Sequence, residues 1–411
     1  MTKPSANAPL MSTMHRWMHW LAWLLTAGLI AGCTHRPVPL ANDAYVWQRQ
    51  WTPAVTRSVQ DNGGSVRAWR VLAGEMDGQG QWRVFLPDWR TLATSGKPVV
   101  AVVRIEGQLQ QWNEATLLAD VQAVLALWRT RGLTFAGVEI DHDCATSRLP
   151  AYAHFLGALR PTLRSGEQLS ITALPTWLQS TELDAVLVQA DEAVLQVHAV
   201  QSPRAGLFNP ASALDWLAAF AQHTRKPWRV ALPAYGTRVS WDEQGRVVTI
   251  ESERPTLVGA QASSELFADP RALQRFVATL EAKTPQGLAG IVWFRLPTAD
   301  DARAWSAASW RAVLDRTPLT MSLAAMATST DDPLRYDVQL VNEGDADVPL
   351  PALVHIDGAC AAADGINGYA LQRGEHGVYL QRLRVGVLRA GRQLTVGWLR
   401  CDNAPALRVE S

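Results

Sequence analysis

Short apolar runs alternate with amphipathic stretches along most of the chain. The runs have the length and the β-branched and aromatic content of strands, and several intervening stretches repeat apolar residues with the period of a helix. The predicted strands cover 44–51, 65–74, 97–107, 133–141, 168–175, 193–200, 227–236 and 287–297. The predicted helices cover 114–132, 149–163, 211–224, 270–283 and 300–316. This alternation predicts an α/β fold, a (β/α)8 TIM-type barrel. An open doubly wound sheet is the alternative, but no Gly-rich phosphate loop follows the first strand.

The pattern changes after residue 317. The segments 334–356 and 377–401 alternate apolar and polar residues, and Gly and Asp turns interrupt them. Such alternation is typical of antiparallel strands with one buried face. We therefore expect a barrel over 34–317 and a small β-sandwich over 318–411, which serves as a spacer or as a second binding surface.

The N-terminal segment has the features of an export signal. A weakly basic start with Arg16 precedes the apolar run 21–30, which is too short to span a bilayer. The sequence Ile30-Ala31-Gly32-Cys33 resembles the lipobox of bacterial lipoproteins, in which the cysteine is lipidated. The resemblance implies a signal peptide over 1–33 and a membrane anchor at Cys33, in the bacterial cell envelope, facing the periplasm or at the outer membrane. An ordinary signal peptide with an incidental cysteine is the alternative.

Cysteine content and charge narrow the function classes. Export implies an oxidising compartment, and three cysteines follow Cys33: Cys144, Cys360 and Cys401. The simplest pairing joins Cys360 to Cys401, since both lie in the C-terminal segment, and leaves Cys144 as a free thiol. Lys and Arg together number 38, equal to Asp and Glu, and no basic cluster occurs. This balance argues against nucleic-acid binding.

The sequence "GVEIDHD" at 137–143 carries the main candidate chemistry. Glu139, Asp141 and Asp143 occupy alternate positions, and alternate residues of a strand share one face. In a barrel, the carboxyl end of a strand opens onto the face that holds the active site. Carboxylates held this close raise one another's pKa, which is the arrangement that a glycosidase uses.

Two other interpretations of these carboxylates stay open. The first is a structural cluster neutralised by Arg104 on the neighbouring strand. The second is a metal site built from Asp141, His142, Asp143 and Cys144. His142 and Cys144 alternate onto the opposite face of a regular strand, so this second interpretation requires the chain to leave strand geometry. No metal or other cofactor is predicted.

The same residues resemble a known family. "GVEIDHD" is similar to the fourth-strand motif D-G-x-D-x-D-x-E of glycoside hydrolase family 18, the chitinase family. "VALPAYGT" (230–237) and "GIVWFRL" (290–296) resemble that family's seventh and eighth strands, in the same order. The full combination of motifs resembles more closely still a bacterial family of unknown function, DUF3142, which implies a similar barrel without an established activity.

The resemblance assigns roles to three acids. Asp143 falls on the catalytic Glu and would protonate the leaving oxygen. Asp141 would orient a 2-acetamido group whose carbonyl oxygen attacks the anomeric carbon, and Glu139 would tune Asp141.

The resemblance also assigns substrate-binding residues. His198 replaces a Tyr that contacts the acetamido group, and Trp293 with Tyr235 would form the floor under the sugar. Gln196 and Arg104 complete the predicted substrate contacts.

Because several motif positions differ from the family pattern, two main hypotheses about function remain. The acid position holds Asp in place of Glu, the sixth-strand M-x-Y-D motif reads Gln196 to Ala199, and Arg104 and Glu106 occupy the third-strand motif. One hypothesis is hydrolysis of an N-acetylhexosamine-containing envelope or extracellular glycan. The other is a catalytically silent glycan-binding or envelope-assembly lipoprotein. A metal-dependent hydrolase such as a deacetylase is the third candidate.

Overall fold

The structure, a computed structural model, describes residues 1–2, 38–109, 113–199, 203–244, 246–251, 262–374 and 377–410. The predicted lipidation site Cys33 and residues 3–33 of the predicted signal peptide lie outside these residues. The chain divides into two units, Met1–Pro39 and Leu40–Ser411, and the second unit contains every strand and helix described below. No helix in the described part of the chain is long and apolar enough to cross a membrane.

Among the residues that the structure describes, twelve strands precede the C-terminal region. They are β1 Ala41–Val46, β2 Ala68–Met76, β3 Trp82–Val84, β4 Val99–Ile105, β5 Phe135–His142, β6 Gln168–Ala173, β7 Glu192–Gln196, β8 Trp228–Pro233, β9 Gly236–Trp241, β10 Val247–Glu251, β11 Ala262–Phe267 and β12 Leu288–Phe294. Eight of them pair in parallel in the order β1-β2-β4-β5-β6-β7-β8-β12, and β12 pairs with β1 to close the sheet. The predicted (β/α)8 barrel is therefore confirmed.

Helices connect the barrel strands. They are α1 Pro53–Asn62, α2 Trp89–Thr94, α3 Glu114–Arg129, α4 Leu149–Leu159, α5 Leu183–Gln189, α6 Pro210–His223, α7 Pro270–Ala282 and α8 Ala307–Leu314, with short 3-10 turns between some of them. The local sequence explains where several helices begin. The side chains of Thr52, Asn209 and Asp269 each accept a hydrogen bond from a backbone amide of the first helical turn, and a proline follows each of these residues. The prediction missed α1, α2 and α5.

The barrel strands are buried on both faces. Their outward side chains pack with the helices in one large core, which holds the fully buried Trp69, Trp128, Trp177, Trp228 and Trp293. A second, smaller core inside the barrel contains Tyr45, Leu72, Val102, Val194 and Val292. The abundant tryptophans are thus mostly core residues.

A small antiparallel sheet is inserted between the last two barrel strands. Strand β9 pairs with both β10 and β11. This insertion was not predicted, because the sequence of 227–236 indicates a single strand and the residues that follow indicate no element.

The described part of the C-terminal region contains ten strands. They are β13 Leu323–Ser329, β14 Arg335–Asn342, β15 Val348–Pro349, β16 Leu353–Asp357, β17 Cys360–Gly365, β18 Tyr369–Gly374, β19 Gly377–Arg382, β20 Val387–Leu388, β21 Gln393–Cys401 and β22 Ala406–Glu410. Two four-stranded antiparallel sheets, β13-β14-β21-β17 and β18-β19-β16-β22, share one hydrophobic core, which is a β-sandwich. Cys360 and Cys401, the pair predicted from the sequence, form a disulfide bond between β17 and β21.

Candidate active site at the barrel mouth

Strand β5 positions the candidate carboxylates. Val138 and Ile140 point outward into the main core, whereas Glu139 and Asp141 point into the barrel. His142 follows the outward face: its Nδ1 lies 3.0 Å from the carbonyl oxygen of Ile105, and its ring packs edge-on against Tyr152. The strand thus separates an apolar face from an acidic one, as its alternation predicts.

Glu139 belongs to a buried ionic network deep in the barrel. The Tyr45 hydroxyl donates to one of its carboxylate oxygens at 2.6 Å, and the Ser170 hydroxyl donates to the other at 3.0 Å. Arg70 also donates to the second oxygen. Because the carboxylate is fully buried and bound by three donors, Glu139 supports the barrel interior and does not face a substrate.

Arg70 is the centre of this network, which we call the charged layer: Asp43, Arg70, Glu139, Ser170, Glu192 and Arg229. Besides Glu139, Arg70 binds Asp43 at 3.2 Å and also binds Glu192. Although burial disfavours its charge, these carboxylates raise the pKa of Arg70 well above the ordinary value. The alternative interpretation, a structural cluster neutralised by Arg104, does not hold for Glu139, whose cation is Arg70.

Asp141 lies nearer the carboxyl end of β5. It is 6% exposed, and its Oδ1 accepts a hydrogen bond from the Thr172 hydroxyl at 2.7 Å. Burial raises its pKa to about 8, the negative charge of Asp143 adds to the shift, and the Thr172 hydrogen bond and Arg104 oppose it. Asp141 therefore keeps a proton near neutral pH.

Asp143 lies one residue beyond the end of β5. The chain turns there, since the Cys144 amide donates to the His142 carbonyl oxygen at 2.8 Å. Gly107 packs so closely that an added Cβ would lie 1.9 Å from the carbonyl oxygen of Asp143. The residue is exposed, but the surrounding protein displaces water from its carboxyl group and raises the pKa, with Glu106 adding to the rise and Arg104 opposing it.

Arg104 brings positive charge to the same end of the barrel. It lies beside Asp141 in the register of β4 and β5, and it pairs with Glu106 at 3.1 Å and Glu75 at 3.3 Å. Glu75 is also bound by Arg49 at 2.7 Å. Arg104 therefore moderates the acids electrostatically and already has two carboxylate partners of its own.

An aromatic wall stands near these acids. The rings of Tyr45, Trp47 and Phe294 pack edge-on against one another, with centroids 5.1–5.8 Å apart. His198 stacks on Phe294 at 5.4 Å and meets Tyr235 edge-on at 5.8 Å. We call the barrel mouth the set Trp47, Arg104, Asp141, Asp143, Thr172, Gln196, His198, Tyr235 and Phe294.

His198 is the polar exception in this wall. Its side chain is buried, and neither ring nitrogen has a hydrogen-bond partner among the described residues. Burial lowers its pKa to about 3, so the ring is neutral at ordinary pH. The amide of Gln196, at the end of β7, donates to the His198 carbonyl oxygen at 3.3 Å. A neutral imidazole offers one donor and one acceptor to a ligand.

Trp293 does not floor a sugar site. Its ring is fully buried in the core outside the barrel, where its Nε1 donates to Asn42 at 3.0 Å. The neighbouring Phe294 occupies the inner side of β12. The prediction was wrong by one residue, because all of Ile291 to Phe294 is apolar and the pattern does not reveal which face is inside.

The alternative interpretation of these residues as a metal site does not fit their geometry. No group of three or more His, Cys, Asp or Glu side chains within the described ranges is arranged to hold a metal ion. His142 and Cys144 face the core outside the barrel, away from Asp141. Cys144 is a free, buried thiol, and burial raises its pKa to about 12.

Sequence reasoning missed several residues of this region. Thr172 follows the strand residue Ser170 by two positions, so alternation alone would have placed both inside the barrel. Arg70 and Arg229 are charged residues within otherwise apolar strands, which is a signal of buried ion pairs. The pairing of Arg70 with residues up to 122 positions away could not be read from the sequence.

Comparisons with known proteins agree with this architecture. Residues 95–299 match the family model described as Domain of unknown function (DUF3142), and residues 325–402 match Domain of unknown function (DUF8456). No curated protein sequence matches the chain. The predicted resemblance to DUF3142 is thus confirmed.

Solved structures match the barrel at low sequence identity. The spore cortex-lytic enzyme SleL of Bacillus megaterium aligns with a TM-score of 0.50 and 14% identity, over 69% of this chain and 75% of that one. A chitinase from Chromobacterium violaceum aligns with a TM-score of 0.48 and 14% identity, over 68% of this chain and 98% of that one. The likeness to SleL supports the fold, and the predicted chitinase-like barrel is confirmed at that level.

Proposed function

We propose that this chain, whose residues 95–299 form a DUF3142 domain on a (β/α)8 barrel, is a glycoside hydrolase acting on an N-acetylhexosamine-containing glycan. The observation that carries the proposal is the pair of carboxyl groups, Asp141 and Asp143, whose pKa values are both raised. A glycosidase needs a carboxyl group that is still protonated near neutral pH, because the leaving oxygen takes up a proton as the glycosidic bond breaks.

The two acids divide the chemistry. Asp143 is exposed and donates its proton to the leaving oxygen. Asp141, held by Thr172, orients the 2-acetamido group so that its carbonyl oxygen bonds to the anomeric carbon as the glycosidic bond breaks. Water then attacks the anomeric carbon of this cyclic intermediate and returns a proton to Asp143. A protonated Asp141 lowers the Coulomb cost of the negative charge that Asp143 acquires.

The aromatic wall supplies the sugar contacts. Phe294 is the partly exposed ring of this wall and presents a face of the kind on which the apolar faces of sugars stack, whereas Trp47 and Tyr235 are buried behind it and hold it in place. The neutral imidazole of His198 supplies one hydrogen-bond donor, which suits the oxygen of an acetamido group.

The test is cleavage of defined glycans. Protein that begins at residue 34 is incubated with a panel of N-acetylhexosamine-containing glycans, and the products are identified by mass spectrometry. We expect cleavage by the wild type and none by Asp143→Asn, which keeps the size of the side chain but cannot donate a carboxylic proton. Equal cleavage by both proteins would exclude Asp143 as the acid.

A binding protein is the second candidate, and the length of Asp143 favours it. An acid that is one methylene shorter than Glu moves by about an ångström, and a misplacement of that size costs on the order of 10²-fold in rate. This candidate predicts no cleavage of any glycan in the panel, with wild type and Asp143→Asn binding equally well in calorimetry.

We propose that the protein lies in the bacterial cell envelope and is anchored through Cys33, because Ile30-Ala31-Gly32-Cys33 resembles a lipobox. The test is expression of the full chain with a labelled fatty acid. We expect label on the wild type and none on Cys33→Ala, and label on neither protein would remove the anchor.

A further inference from the structure

Glu106 follows the last residue of β4 and has no part in the roles proposed above. Val102 and Arg104 occupy inner positions of β4, so the alternation of the strand puts Glu106 on the same side. The pairing with β2 continues through this residue, since the Glu106 amide donates to the Met76 carbonyl oxygen at 2.9 Å. The Glu106 side chain is 38% exposed. It therefore presents a carboxylate at the edge of the barrel mouth.

The segments that follow β4 and β5 are in direct contact. Gly107 lies so close to Asp143 that an added Cβ would be 1.9 Å from the Asp143 carbonyl oxygen. Glu106 is the residue before this contact. Burial raises the pKa of Asp143, and the negative charge of Glu106 adds to the rise. Two carboxyl groups this close cannot both ionise without a cost in Coulomb energy, so the charge of one favours the protonated form of the other.

Arg104 determines which of the two acids carries the charge. Its guanidinium binds Glu106 at 3.1 Å and Glu75 at 3.3 Å. Within the described ranges it forms no ion pair with Asp141 or Asp143. An ion pair requires an ionised carboxylate, so Glu106 is the charged member of its pair with Asp143, and Asp143 keeps the proton.

Neighbouring residues hold this arrangement in place. The turn after β2 packs against the stem of Glu106, since a Cβ added to Gly78 would lie 3.5 Å from the Glu106 Cγ. Glu75 is itself bound by Arg49 at 2.7 Å. The Arg104 guanidinium thus lies between two carboxylates that are fixed independently of it. Charge-assisted bonds to both of them hold it in one orientation.

We infer that Glu106 is a positioning residue for the proposed hydrolysis: it holds the Arg104 guanidinium in an ion pair, away from Asp143, so that Asp143 faces the substrate as a protonated acid. The inference rests on the proposed function for the role of Asp143 as the acid. It assigns Glu106 no bond to the substrate. Without the Glu106 carboxylate, Arg104 would be free to pair with Asp143, which would then lose its proton at a lower pH.

Several segments bring charged side chains to this end of the barrel. They are Arg104 and Glu106 from β4 and its end, Asp141 from β5, Glu75 from β2, Arg49 from the loop after β1, and Arg148 from the turn after β5. Arg104 and Glu106 act on the pKa of Asp143 in opposite directions. Asp141 has a pKa of about 8, because burial disfavours its charge, and adds little negative charge near neutral pH. Glu106 is thus the acid whose charge bears on Asp143 at that pH.

The test follows the protonation of Asp143 directly and needs no substrate. Protein that begins at residue 34 is labelled at the aspartate carboxyl carbons and titrated with acid and base in NMR, and the Asp143 signal is the one absent from Asp143→Asn. We expect Glu106→Gln to lower the titration midpoint of Asp143 by about one pH unit or more, because a negative charge is lost and Arg104 is released toward the acid. Arg104→Gln should raise the midpoint, since a positive charge is lost.

Glu75→Gln is the matched control. Glu75 binds the same guanidinium, but it lies on β2, which β4 separates from the strand of Asp143. This variant should lower the midpoint less than Glu106→Gln does. When Arg104 is already replaced by Gln, Glu106→Gln should also produce a smaller shift, because no guanidinium is left to release.

Three results would overturn the inference: Glu106→Gln does not lower the midpoint, Glu75→Gln lowers it equally, or the shift is the same with and without Arg104. If Glu106→Gln does not fold, Arg104→Gln decides, and a midpoint that stays or falls contradicts the inference. The outcome is separate from that of the hydrolysis. A lowered midpoint without cleavage by the wild type would remove the hydrolase and keep the effect of Glu106 on Asp143. Cleavage with an unchanged midpoint would keep the hydrolase and overturn the inference.

Discussion

Asp143 is one methylene group shorter than the glutamate that the resemblance to the family 18 motif leads one to expect at this position. The contact of Gly107 with the Asp143 carbonyl fixes the main chain, so a longer side chain would extend its acid toward the mouth. We expect Asp143→Glu to raise the rate constant of glycan cleavage by up to about 10²-fold, because correct placement of an acid is worth that much. Steady-state kinetics of the two proteins provide the measurement. A rate below that of the wild type would mean that the mouth is fitted to the shorter acid.

Asp141 makes folding stability depend on pH. Its pKa is about 8 in the folded protein and about 3.9 in an unfolded chain. The folded state therefore holds a proton that the unfolded state has lost between these values, and the stabilisation is complete below about pH 4 and lost as the pH rises toward 8. The loss is at most about 1.4 kcal/mol per pH unit.

Asp141→Asn should remove this dependence. The amide oxygen can still accept the Thr172 hydrogen bond, and the side chain does not ionise. We expect the variant to gain stability relative to the wild type as the pH rises from 5 to 8, measured by urea unfolding at several pH values. Asp215→Asn, on the exposed side of α6, is the control and should leave the pH dependence as it is. A constant difference across this range would contradict the assignment.

For individual residues, the sequence predicted which strand face carries the acidic side chains better than which face carries the aromatic ones. Glu139 and Asp141 were correctly placed on the inner face, because a charged residue between Val138 and Ile140 marks that face. Trp293 was misplaced because no polar residue marks either face of β12. The predicted effect of Glu139 on Asp141 agrees with the structure, since its charge adds to the raised pKa of Asp141. Its partner Arg70 was not predicted, because Arg70 comes from a strand that is distant in the sequence.

Among the elements, the charged layer joins β2, the strand of Arg70, to three other barrel strands through the Arg70 side chain. Arg70 is 1% exposed and binds Asp43, Glu139 and Glu192, which come from β1, β5 and β7. Removal of a buried cation leaves its carboxylates without compensation and typically costs about 3–5 kcal/mol. We expect Arg70→Met to lower the free energy of unfolding by this amount in urea denaturation at pH 7.

Arg67→Met is the matched comparison. Arg67 also binds Asp43, at 2.7 Å, but its side chain is 46% exposed. Exposed ion pairs contribute about 0–1 kcal/mol, so this variant should change stability little. Equal losses in the two variants would show that the charged layer adds no more than a surface pair.

The elements themselves follow the local sequence closely. All eight barrel strands were predicted, since runs such as "VVAVVRI" have strong β propensity and a length typical of strands. The missed helices α2 and α5 have six and seven residues, too few to show a helical period. The inserted sheet was missed because β9 begins soon after β8 ends, and the sequence between them has no strong turn signal. The change from parallel pairing in β8 to antiparallel pairing in β9 is therefore not visible in the sequence.

At the scale of the whole molecule, the barrel and the β-sandwich are held together by hydrogen bonds. The Asp347 carboxylate receives the Ser306 amide at 2.7 Å, where α8 begins. The Asp347 amide donates to Ser309 at 2.8 Å, and the Ser309 hydroxyl donates to Asp345 at 3.0 Å. These bonds are largely buried, so opening the interface would leave polar groups unpaired. We therefore expect the two parts to unfold as one cooperative unit.

The disulfide within the sandwich provides a test of this coupling. The bond joins residues 41 positions apart, and the entropy of closing a loop of that length corresponds to about 4 kcal/mol. Replacing both Cys360 and Cys401 by Ser should lower the melting temperature by about 5 °C, given the unfolding entropy expected for a chain of this size. If the barrel and sandwich are coupled, calorimetry will show one transition that moves as a whole, because the barrel loses its support when the sandwich opens. If only part of the heat absorption shifts and a barrel transition stays at the wild-type temperature, the hydrogen bonds of Asp347 and Ser309 do not couple the two parts, and the sandwich opens independently of the barrel.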